Sequence, residues 1–335
     1  MDFASLGSTG IRVNKNGFGA LPIQRISEGD AVYLLKKAYD NGITFYDTAR
    51  FYTDSEKKIG LALSGVRERI FIATKTMPGS VSEFWEQLET SLGLLKTDYV
   101  DVYQFHNPSF CPKPGDGSGL YGAMLEAKAQ GKVRHIGITN HRLGVALEAA
   151  RSGLYEIIQF PVSYLASADE LDLVRVCNEH EIGVLGMKSL AGGLITNSAA
   201  AYAFMMQYDN LLPIWGIQSE RELDEFISYQ TAPPVLGDEL RHVIERDASE
   251  LSGDFCRGCG YCMPCPAGID ISIAARMSLL IRRAPKSMWL SSHLREGMTR
   301  IDSCTNCGHC RVHCPYGLDA IKLMQAGWRE YKEYL

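Results

Sequence analysis

Eight cysteines near the end of the chain have the spacing of residues that hold iron and sulfide. They fall in two groups, CRGCGYCMPCP and CTNCGHCRVHCPYG, and in each group three cysteines recur at every third residue before a Cys-Pro pair. The second group has the C-x₂-C-x₂-C-x₃-C-P spacing of [4Fe–4S] ligands, and the first is one residue shorter before its last cysteine. The pattern predicts two [4Fe–4S] clusters, which carry electrons singly.

In paired motifs of this type the fourth cysteine of each group ligates the other cluster. One predicted ligand set is therefore Cys256, Cys259, Cys262 and Cys314, and the other is Cys304, Cys307, Cys310 and Cys265. The shortened first group leaves this crossed assignment open. Structural zinc is the alternative, but zinc prefers pairs of cysteines in separate knuckles, which two triplets fit poorly.

A second set of residues has side chains suited to proton transfer. Asp47 and Tyr52 lie in FYDTARFY, Lys75 in ATKT and His106 in QFHNP. An unperturbed phenol has a pKa of about 10, too high for an efficient acid near neutral pH, and a nearby ammonium lowers it. Lys75 can supply the ammonium, held by Asp47, while His106 orients a carbonyl. Each residue alone has an ordinary structural explanation, but the four together predict a site where a carbonyl carbon accepts hydride.

Eight apolar runs that alternate with amphipathic segments can bring these four residues together. The predicted strands are Phe18–Ile23, Ile43–Thr48, Ile70–Lys75, Val100–Phe105, Val133–Ile138, Ile157–Phe160, Val184–Met187 and Leu212–Ile217. Eight strand–helix units predict an α/β fold, a (β/α)₈ barrel, in which chemistry lies where the strands end. A doubly wound sheet is the rival, but no glycine-rich dinucleotide fingerprint follows the first strand.

Two of the intervening segments carry explicit helix signals. Ser27 is a candidate N-cap for a helix that ends near Gly42, with Ala31, Leu34, Leu35 and Ala38 as its apolar face. Ser80 and Glu83 have the spacing of a capping box before a second helix, whose apolar face is Phe84, Leu88 and Leu92.

Composition and charge describe a globular chain in two parts. Hydrophobic residues make up 46% and charged residues 22% of the 335, and the net charge is −5 with Lys and Arg scattered. Neither nucleic acid nor a membrane is expected as a partner, and no secretory signal or long apolar run is visible, so a cytoplasmic location is expected. We predict a barrel domain over residues 1–235 and a mainly helical ferredoxin-type module over 236–335.

The segments FYDTARFY, ATK and DYVDVYQFH resemble the aldo-keto reductase superfamily, which shows an Asp–Tyr–Lys–His tetrad on a (β/α)₈ barrel. The resemblance implies nicotinamide-dependent interconversion of a carbonyl and an alcohol, with Tyr52 as the general acid. A histidine at position 106 implies carbonyl chemistry, because double-bond reduction in the family goes with glutamate there. With its cysteines, the whole chain is similar to the ferredoxin-containing branch of that superfamily.

The resemblance also implies a binding site for NADH or NADPH. Thr139, Asn140 and Gln159 match residues that bind the carboxamide, Ser189–Gly193 matches the loop over the pyrophosphate, and Trp215–Phe226 matches the adenosine site. The implied cofactor residues are Gly19, Asp47, Thr139, Asn140, Gln159, Met187, Ser189, Ala191, Gly192, Gly193, Gly216, Gln218, Glu222 and Glu225.

Three of these positions depart from the family pattern. Met187 stands where many relatives stack an aromatic ring on the nicotinamide, and Phe226 replaces an asparagine near the adenine. Glu222 stands where NADPH-preferring relatives have an arginine. A carboxylate repels a 2′-phosphate and can accept a bond from a ribose hydroxyl, so the sequence predicts a preference for NADH.

Three explanations account for a hydride site and clusters in one chain. The clusters transfer electrons to a ferredoxin or another one-electron partner, which requires a carrier such as flavin, for which the sequence has no signature. Alternatively the clusters only stabilise the tail while the barrel works as an ordinary reductase. Alternatively the barrel is a non-catalytic redox-sensing module. The intact tetrad argues against the last, and we favour an oxidoreductase acting on a small carbonyl or alcohol with electron-transferring clusters.

Overall fold

The computed structural model describes residues 3–251, 255–283 and 289–335, which form two compact units. The first comprises the chain up to Ser189 together with Tyr202–Val235, and the second comprises Leu190–Ala201 together with the chain from Leu236. The segment Leu190–Ala201, which the sequence placed in the barrel domain, thus groups with the C-terminal unit. Residues 252–254, within the predicted C-terminal module, lie outside the described residues.

Eight parallel strands of the described residues close into a barrel, which confirms the predicted (β/α)₈ fold. Neighbours in the barrel are consecutive in the chain, and the last strand pairs with the first. The strands are β1 (Phe3–Ser5) and β2 (Arg12–Asn14), outside the barrel, and then β3 (Gly17–Gly19), β4 (Phe45–Asp47), β5 (Phe71–Thr76), β6 (Val100–His106), β7 (Val133–Thr139), β8 (Ile157–Pro161), β9 (Gly183–Met187) and β10 (Leu211–Gly216).

Helices follow the barrel strands, as the amphipathic segments predicted. Their bounds are Glu28–Asp40, Ser55–Leu63, Val81–Leu95, Leu120–Ala129, Leu143–Ser152, Ala168–Glu179, Ser198–Met205 and Glu220–Thr231, with 3₁₀ turns at Pro22–Arg25, Ser64–Arg69 and Ala191–Gly193. β3 ends at Gly19, short of the predicted Ile23, because the chain enters a 3₁₀ turn at Pro22–Arg25.

The two helices with sequence signals form, but one cap differs from the prediction. The Ser27 side chain accepts a bond from the Asp30 N–H, as expected of an N-cap. Ser80 likewise accepts from the Glu83 N–H, at 3.2 Å, but the Glu83 carboxylate accepts from the Gly79 N–H, at 2.7 Å. The predicted capping box is therefore wrong in its second half, because the carboxylate reaches one residue past the cap.

A hairpin that the sequence analysis did not predict plugs the N-terminal end of the barrel. Its strands β1 and β2 are antiparallel, and their buried Ala4 and Val13 share one core cluster with Phe45, Val102 and Leu185 of the barrel strands. The opposite end, where the parallel strands finish, carries the predicted catalytic residues.

The C-terminal unit is mainly helical and has a core of its own. Its helices are Asp238–Glu250, Ile271–Ala274, Met277–Arg283, Ser292–Thr299, His309–Val312 and Ala320–Lys332, with a 3₁₀ turn at Arg300–Ser303. Met277, Met324, Trp328 and Tyr331 are buried in this core, and Cys310 is buried with them. Among the described residues, no helix has the length and apolar character needed to cross a membrane.

Candidate active site and cluster cavities

The four predicted catalytic residues lie at one rim of the barrel, and three of them are on adjacent strands. Asp47 ends β4, Lys75 is the penultimate residue of β5, and His106 ends β6. Register places Lys75 beside Gln104 and Asp47 beside Ala73, so the side chains are staggered around the rim. Tyr52 lies in the turn that follows β4.

Lys75 and Asp47 form a buried ion pair. The Lys75 Nζ lies 2.8 Å from each carboxylate oxygen of Asp47 and 2.6 Å from the Thr48 carbonyl oxygen, to which it also donates. Lys75 is only 1% exposed and Asp47 4%. Burial lowers the pKa of Lys75 and raises the pKa of Asp47, and their mutual attraction opposes both shifts. The pair therefore fixes an ammonium where bulk water cannot screen it.

Tyr52 faces both Lys75 and His106. The Lys75 Nζ lies 5.2 Å from the centroid of the Tyr52 ring. The rings of Tyr52 and His106 are nearly perpendicular, at 81°, with 6.0 Å between centroids. Burial, reinforced by the charge of Lys75, lowers the pKa of His106 to about 3. His106 is therefore neutral at pH 7 and can donate one ring N–H to a substrate oxygen without carrying charge.

The turn that carries Tyr52 is held in place by its neighbour Arg50. The Arg50 N–H donates to the Lys75 carbonyl oxygen, at 3.0 Å, and its guanidinium pairs with Glu56. Glu56 is 1% exposed and also accepts a bond from the Thr74 hydroxyl, at 2.6 Å. Sequence reasoning missed Glu56, because a glutamate in an amphipathic helix is ordinarily exposed.

Behind the ion pair, two glutamines extend the hydrogen-bond network. The Gln159 Nε2 donates to the Asp47 carboxylate, at 3.2 Å, and the Gln159 Oε1 accepts from the Gln104 Nε2, at 2.9 Å. An amide has two donor hydrogens and two acceptor lone pairs, so Gln159 keeps capacity for a further amide ligand. Gln104 was missed, although its position two residues before His106 puts both on the same face of β6.

Of the other predicted carboxamide residues, Thr139 and Asn140 have different surroundings. The Thr139 hydroxyl lies 3.8 Å from the sulfur of Met187, so two predicted cofactor residues meet. The Asn140 Nδ2 donates to the Pro108 carbonyl, at 2.8 Å, and its Oδ1 accepts from the Arg142 N–H, at 2.9 Å. Asn140 is fully buried and holds the loop after β6.

The predicted pyrophosphate loop is divided between the two units. The Ser189 hydroxyl donates to the Gly186 carbonyl, at 3.2 Å, within the barrel unit. Ala191, Gly192 and Gly193 belong to the C-terminal unit and all have positive φ. Positive φ is easily adopted by glycine but strained for Ala191.

The predicted adenosine residues begin at the end of β10. Gly216 pairs in register with Gly19 of β3, where a Cβ on Gly19 would lie 2.8 Å from the Trp215 carbonyl oxygen. Two further predicted adenosine residues, Glu222 and Glu225, lie on the next helix, Glu220–Thr231. The Glu222 carboxylate accepts from the Gln218 and Ser219 N–H groups, at 2.9 and 3.0 Å, and completes a capping box. Glu225 accepts from the Tyr229 hydroxyl, at 3.3 Å.

Phe226, for which the sequence offered no explanation, is a core residue of the barrel unit. Its ring is 2% exposed and stacks on Trp215, with 4.4 Å between centroids and 18° between planes. Its carbonyl accepts from the Asn16 Nδ2, at 2.8 Å. The aromatic side chain is thus explained by its packing in the core.

Two cavities of the C-terminal unit are lined by the eight predicted metal ligands. One is lined by Cys256, Cys259, Cys262, Cys310 and Cys314. The other is lined by Cys265, Cys304, Cys307 and Cys310. Each therefore contains one of the predicted crossed sets, with Cys310 reaching both. Thiolates in apolar surroundings are the donors that iron–sulfur clusters use, so the residues fit that group.

The rest of each cavity wall favours a cluster over water. Ile271 lines both cavities, Leu323 one and Met324 the other. The Gly258 N–H points to the Cys256 sulfur, at 3.4 Å, and hydrogen bonds of this kind tune cluster potentials. In the described residues, no three His, Cys, Asp or Glu side chains are arranged as ligands of a single metal ion.

Comparison with known proteins identifies both parts of the chain. The profile of the aldo/keto reductase family matches residues 15–209, and that of a 4Fe-4S dicluster domain matches residues 255–319. L-galactose dehydrogenase of Arabidopsis thaliana is 31% identical over 215 residues, which cover 58% of this chain and 67% of that protein. Aldo-keto reductase YhdN of Bacillus subtilis is 27% identical, with 58% of this chain and 64% of that protein covered. The matched region thus spans about two thirds of such relatives.

Solved structures share the fold at lower identity. Aldo-keto reductase AKR11C1 of Bacillus halodurans, in its holo form, superposes with a TM-score of 0.65 at 23% identity, covering 74% of this chain and 96% of that one. An aldo-keto reductase of Klebsiella pneumoniae in complex with NADPH gives 0.62 at 22% identity, covering 73% and 94%.

The environment of His106 predicts that it stays neutral. The NMR signal of His106 can be assigned in protein with labelled histidine as the one that disappears in His106→Gln. We expect this signal to show no titration between about pH 5 and 8, because the folded-state pKa lies below that range. The pKa of His106 is lowered because burial makes the folded protein bind a proton there less readily than the unfolded chain does. A titration of that signal near the ordinary histidine pKa would contradict the burial argument.

The cavity linings predict that the ligand sets are crossed. Cys265→Ala and Cys304→Ala should each lose about half of the bound iron, and the double variant should lose no more, because both cysteines serve one cluster. By contrast, Cys256→Ala combined with Cys265→Ala should lose nearly all of it. Iron and sulfide assays on anaerobically purified protein measure both results. If the double variant of Cys256 and Cys265 kept half of the iron, both cysteines would serve one cluster and the ligand sets would not be crossed.

Proposed function

The chain belongs to the aldo/keto reductase family and carries a 4Fe-4S dicluster domain, and on this premise we propose that it interconverts a carbonyl compound and an alcohol. The observation that carries the proposal is the convergence of Tyr52, His106 and the buried Lys75–Asp47 pair at one rim of the barrel. NADH or NADPH, when bound, supplies the hydride. The reaction is the sum of a carbonyl, a reduced nicotinamide and a proton, giving an alcohol and an oxidised nicotinamide.

The chain supplies the proton and the orientation. Tyr52 donates its hydroxyl proton to the carbonyl oxygen, and the Lys75 ammonium stabilises the phenolate that remains. Asp47 keeps that ammonium in place and charged. The neutral imidazole of His106 donates a hydrogen bond to the same oxygen, so the carbonyl is polarised from two sides. In the alcohol-to-carbonyl direction, the Tyr52 phenolate takes the proton back.

The nucleotide would lie along the barrel rim from Gln159 towards the end of β10. Gln159 has spare hydrogen-bond capacity for the carboxamide, and Met187 beside Thr139 provides an adaptable apolar contact for the ring. Glu222 adds a negative charge near the predicted adenosine site while it caps its own helix. That charge disfavours a 2′-phosphate, which supports a preference for NADH over NADPH.

For the dicluster domain, we propose electron transfer to a ferredoxin or another one-electron partner. The supporting observation is that Cys310 and Ile271 line both cavities, so two clusters would be neighbours along one path. Each [4Fe–4S] cluster, when bound, carries one electron at a time. Hydride delivers two electrons together, so the proposal requires a flavin to split the pair. A purely structural role for the clusters is the alternative outcome.

Tyr52→Phe removes only the acidic hydroxyl. We expect kcat/KM for carbonyl reduction to fall by about 10²–10⁴-fold while nucleotide binding is retained, because the proton donor is lost and the rim is not. Steady-state assays on a panel of aldehydes and ketones measure the change. Tyr33→Phe is the control, since its hydroxyl bonds to Glu220 on the outside of the barrel unit. An unchanged rate in Tyr52→Phe would contradict the assigned mechanism. In the wild type, a lower KM for NADPH than for NADH would contradict the proposed preference for NADH.

Electron transfer is tested by anaerobic titration of the cluster-loaded protein with NADH and then NADPH, with and without added flavin mononucleotide. If the proposal holds, nucleotide with flavin bleaches the cluster absorbance and produces the EPR signal of reduced clusters. If only dithionite reduces them while carbonyl reduction proceeds at the barrel, the clusters are structural.

A further inference from the structure

The segment Leu190–Ala201 is attached to the cluster-bearing unit by two arginines. The Arg276 Nη1 donates to the Gly192 carbonyl, at 2.5 Å, and the Arg283 Nε donates to the Leu194 carbonyl, at 2.8 Å. Arg276 lies in the turn between the helices Ile271–Ala274 and Met277–Arg283, and Arg283 is the last residue of the second helix. Two carbonyls of the predicted pyrophosphate loop and its continuation are therefore held by side chains of the C-terminal unit.

Arg276 also contacts the loop between the first two predicted cluster ligands. A Cβ placed on Gly258, between Cys256 and Cys259, would lie 2.8 Å from the Arg276 guanidinium carbon. A Cβ placed on Gly192 would lie 2.8 Å from the Arg276 Nη1 and 3.2 Å from the Arg257 carbonyl oxygen. The guanidinium thus lies between two glycine backbones, and a side chain on either would displace it.

The orientation of Arg276 is itself fixed. Its Nε donates to the Ser272 carbonyl, at 2.8 Å, so the planar guanidinium is anchored at one edge while Nη1 reaches Gly192. Nearby Arg282 points elsewhere and pairs with Glu330, at 2.6 Å.

We propose that Arg276 is a positioning residue that couples nicotinamide binding to the cluster held by Cys256, Cys259, Cys262 and Cys314. This inference rests on the proposed function, because it takes the Gly192 loop to contact the pyrophosphate. A nucleotide that orders this loop would hold the Gly192 carbonyl more firmly against Arg276, and Arg276 would in turn restrain the Cys256–Cys259 loop. By linkage the effect is reciprocal, so the state of the cluster alters the affinity for nucleotide.

The test compares wild type with Arg276→Ala, Arg276→Lys and the control Arg282→Ala, all loaded with clusters and kept anaerobic. For each protein, the dissociation constant of NADH is measured by fluorescence, and iron release to a chelator is timed with and without saturating NADH. In wild type and Arg282→Ala we expect NADH to slow iron release about tenfold, within the usual range of coupling between sites. In Arg276→Ala that protection should vanish and NADH binding should weaken.

Lysine at position 276 keeps the charge but has no planar fork, so Arg276→Lys should also lose most of the protection. Arg276→Lys therefore still tests the coupling if Arg276→Ala fails to retain its clusters. A purely structural arginine would change the basal rate of iron release without changing its dependence on NADH, so the ratio of the two rates is the decisive readout.

The outcomes separate this inference from the proposed function. If wild type reduces carbonyls and binds NADH but NADH leaves iron release unchanged, the coupling is absent and the proposed function stands. Protection retained in both Arg276 variants also overturns the inference, since another contact would then transmit the effect. If wild type binds no nicotinamide nucleotide, the proposed function fails and the inference fails with it.

Discussion

The candidate active site depends on one buried ion pair. Moving a carboxylate and an ammonium out of water costs several kcal/mol for each ion, and good geometry with additional hydrogen bonds is needed to offset it. Asp47 and Lys75 meet that condition, because both carboxylate oxygens, the Thr48 carbonyl and the Gln159 amide take part. Gln104 extends this network from behind, because its amide donates to the Gln159 side chain that bonds Asp47.

The barrel was predictable because its strands are buried and therefore apolar, and the helices between them are amphipathic. Strand ends were less predictable, since apolar runs continue into turns, as at Pro22. The hairpin of β1 and β2 was missed for a different reason. Three-residue strands are too short to show alternation, and their burial depends on contact with barrel residues far along the chain.

The tetrad and the cysteines could be proposed from sequence because their chemistry is tied to residue type and to local spacing. The hydrogen-bond partners of these and neighbouring residues could not be predicted, because such partners depend on distances in the folded structure. Asn140 and Glu222 illustrate this point. The sequence associated both with a nucleotide, yet the structure shows Asn140 holding a loop and Glu222 capping a helix. These hydrogen bonds do not neutralise the carboxylate of Glu222, so they leave the proposed repulsion of a 2′-phosphate in place.

The two compact units do not coincide with two continuous halves of the sequence. Leu190–Ala201 lies in the barrel part of the sequence but packs in the C-terminal unit, where Arg276 and Arg283 hold its carbonyls. A barrel cut from its tail would leave those carbonyls without these partners. Clusters that stabilise the C-terminal unit therefore also stabilise the conformation of this segment. A purely structural role of the clusters would therefore reach the predicted nucleotide loop through the contact between Arg276 and the Gly192 carbonyl.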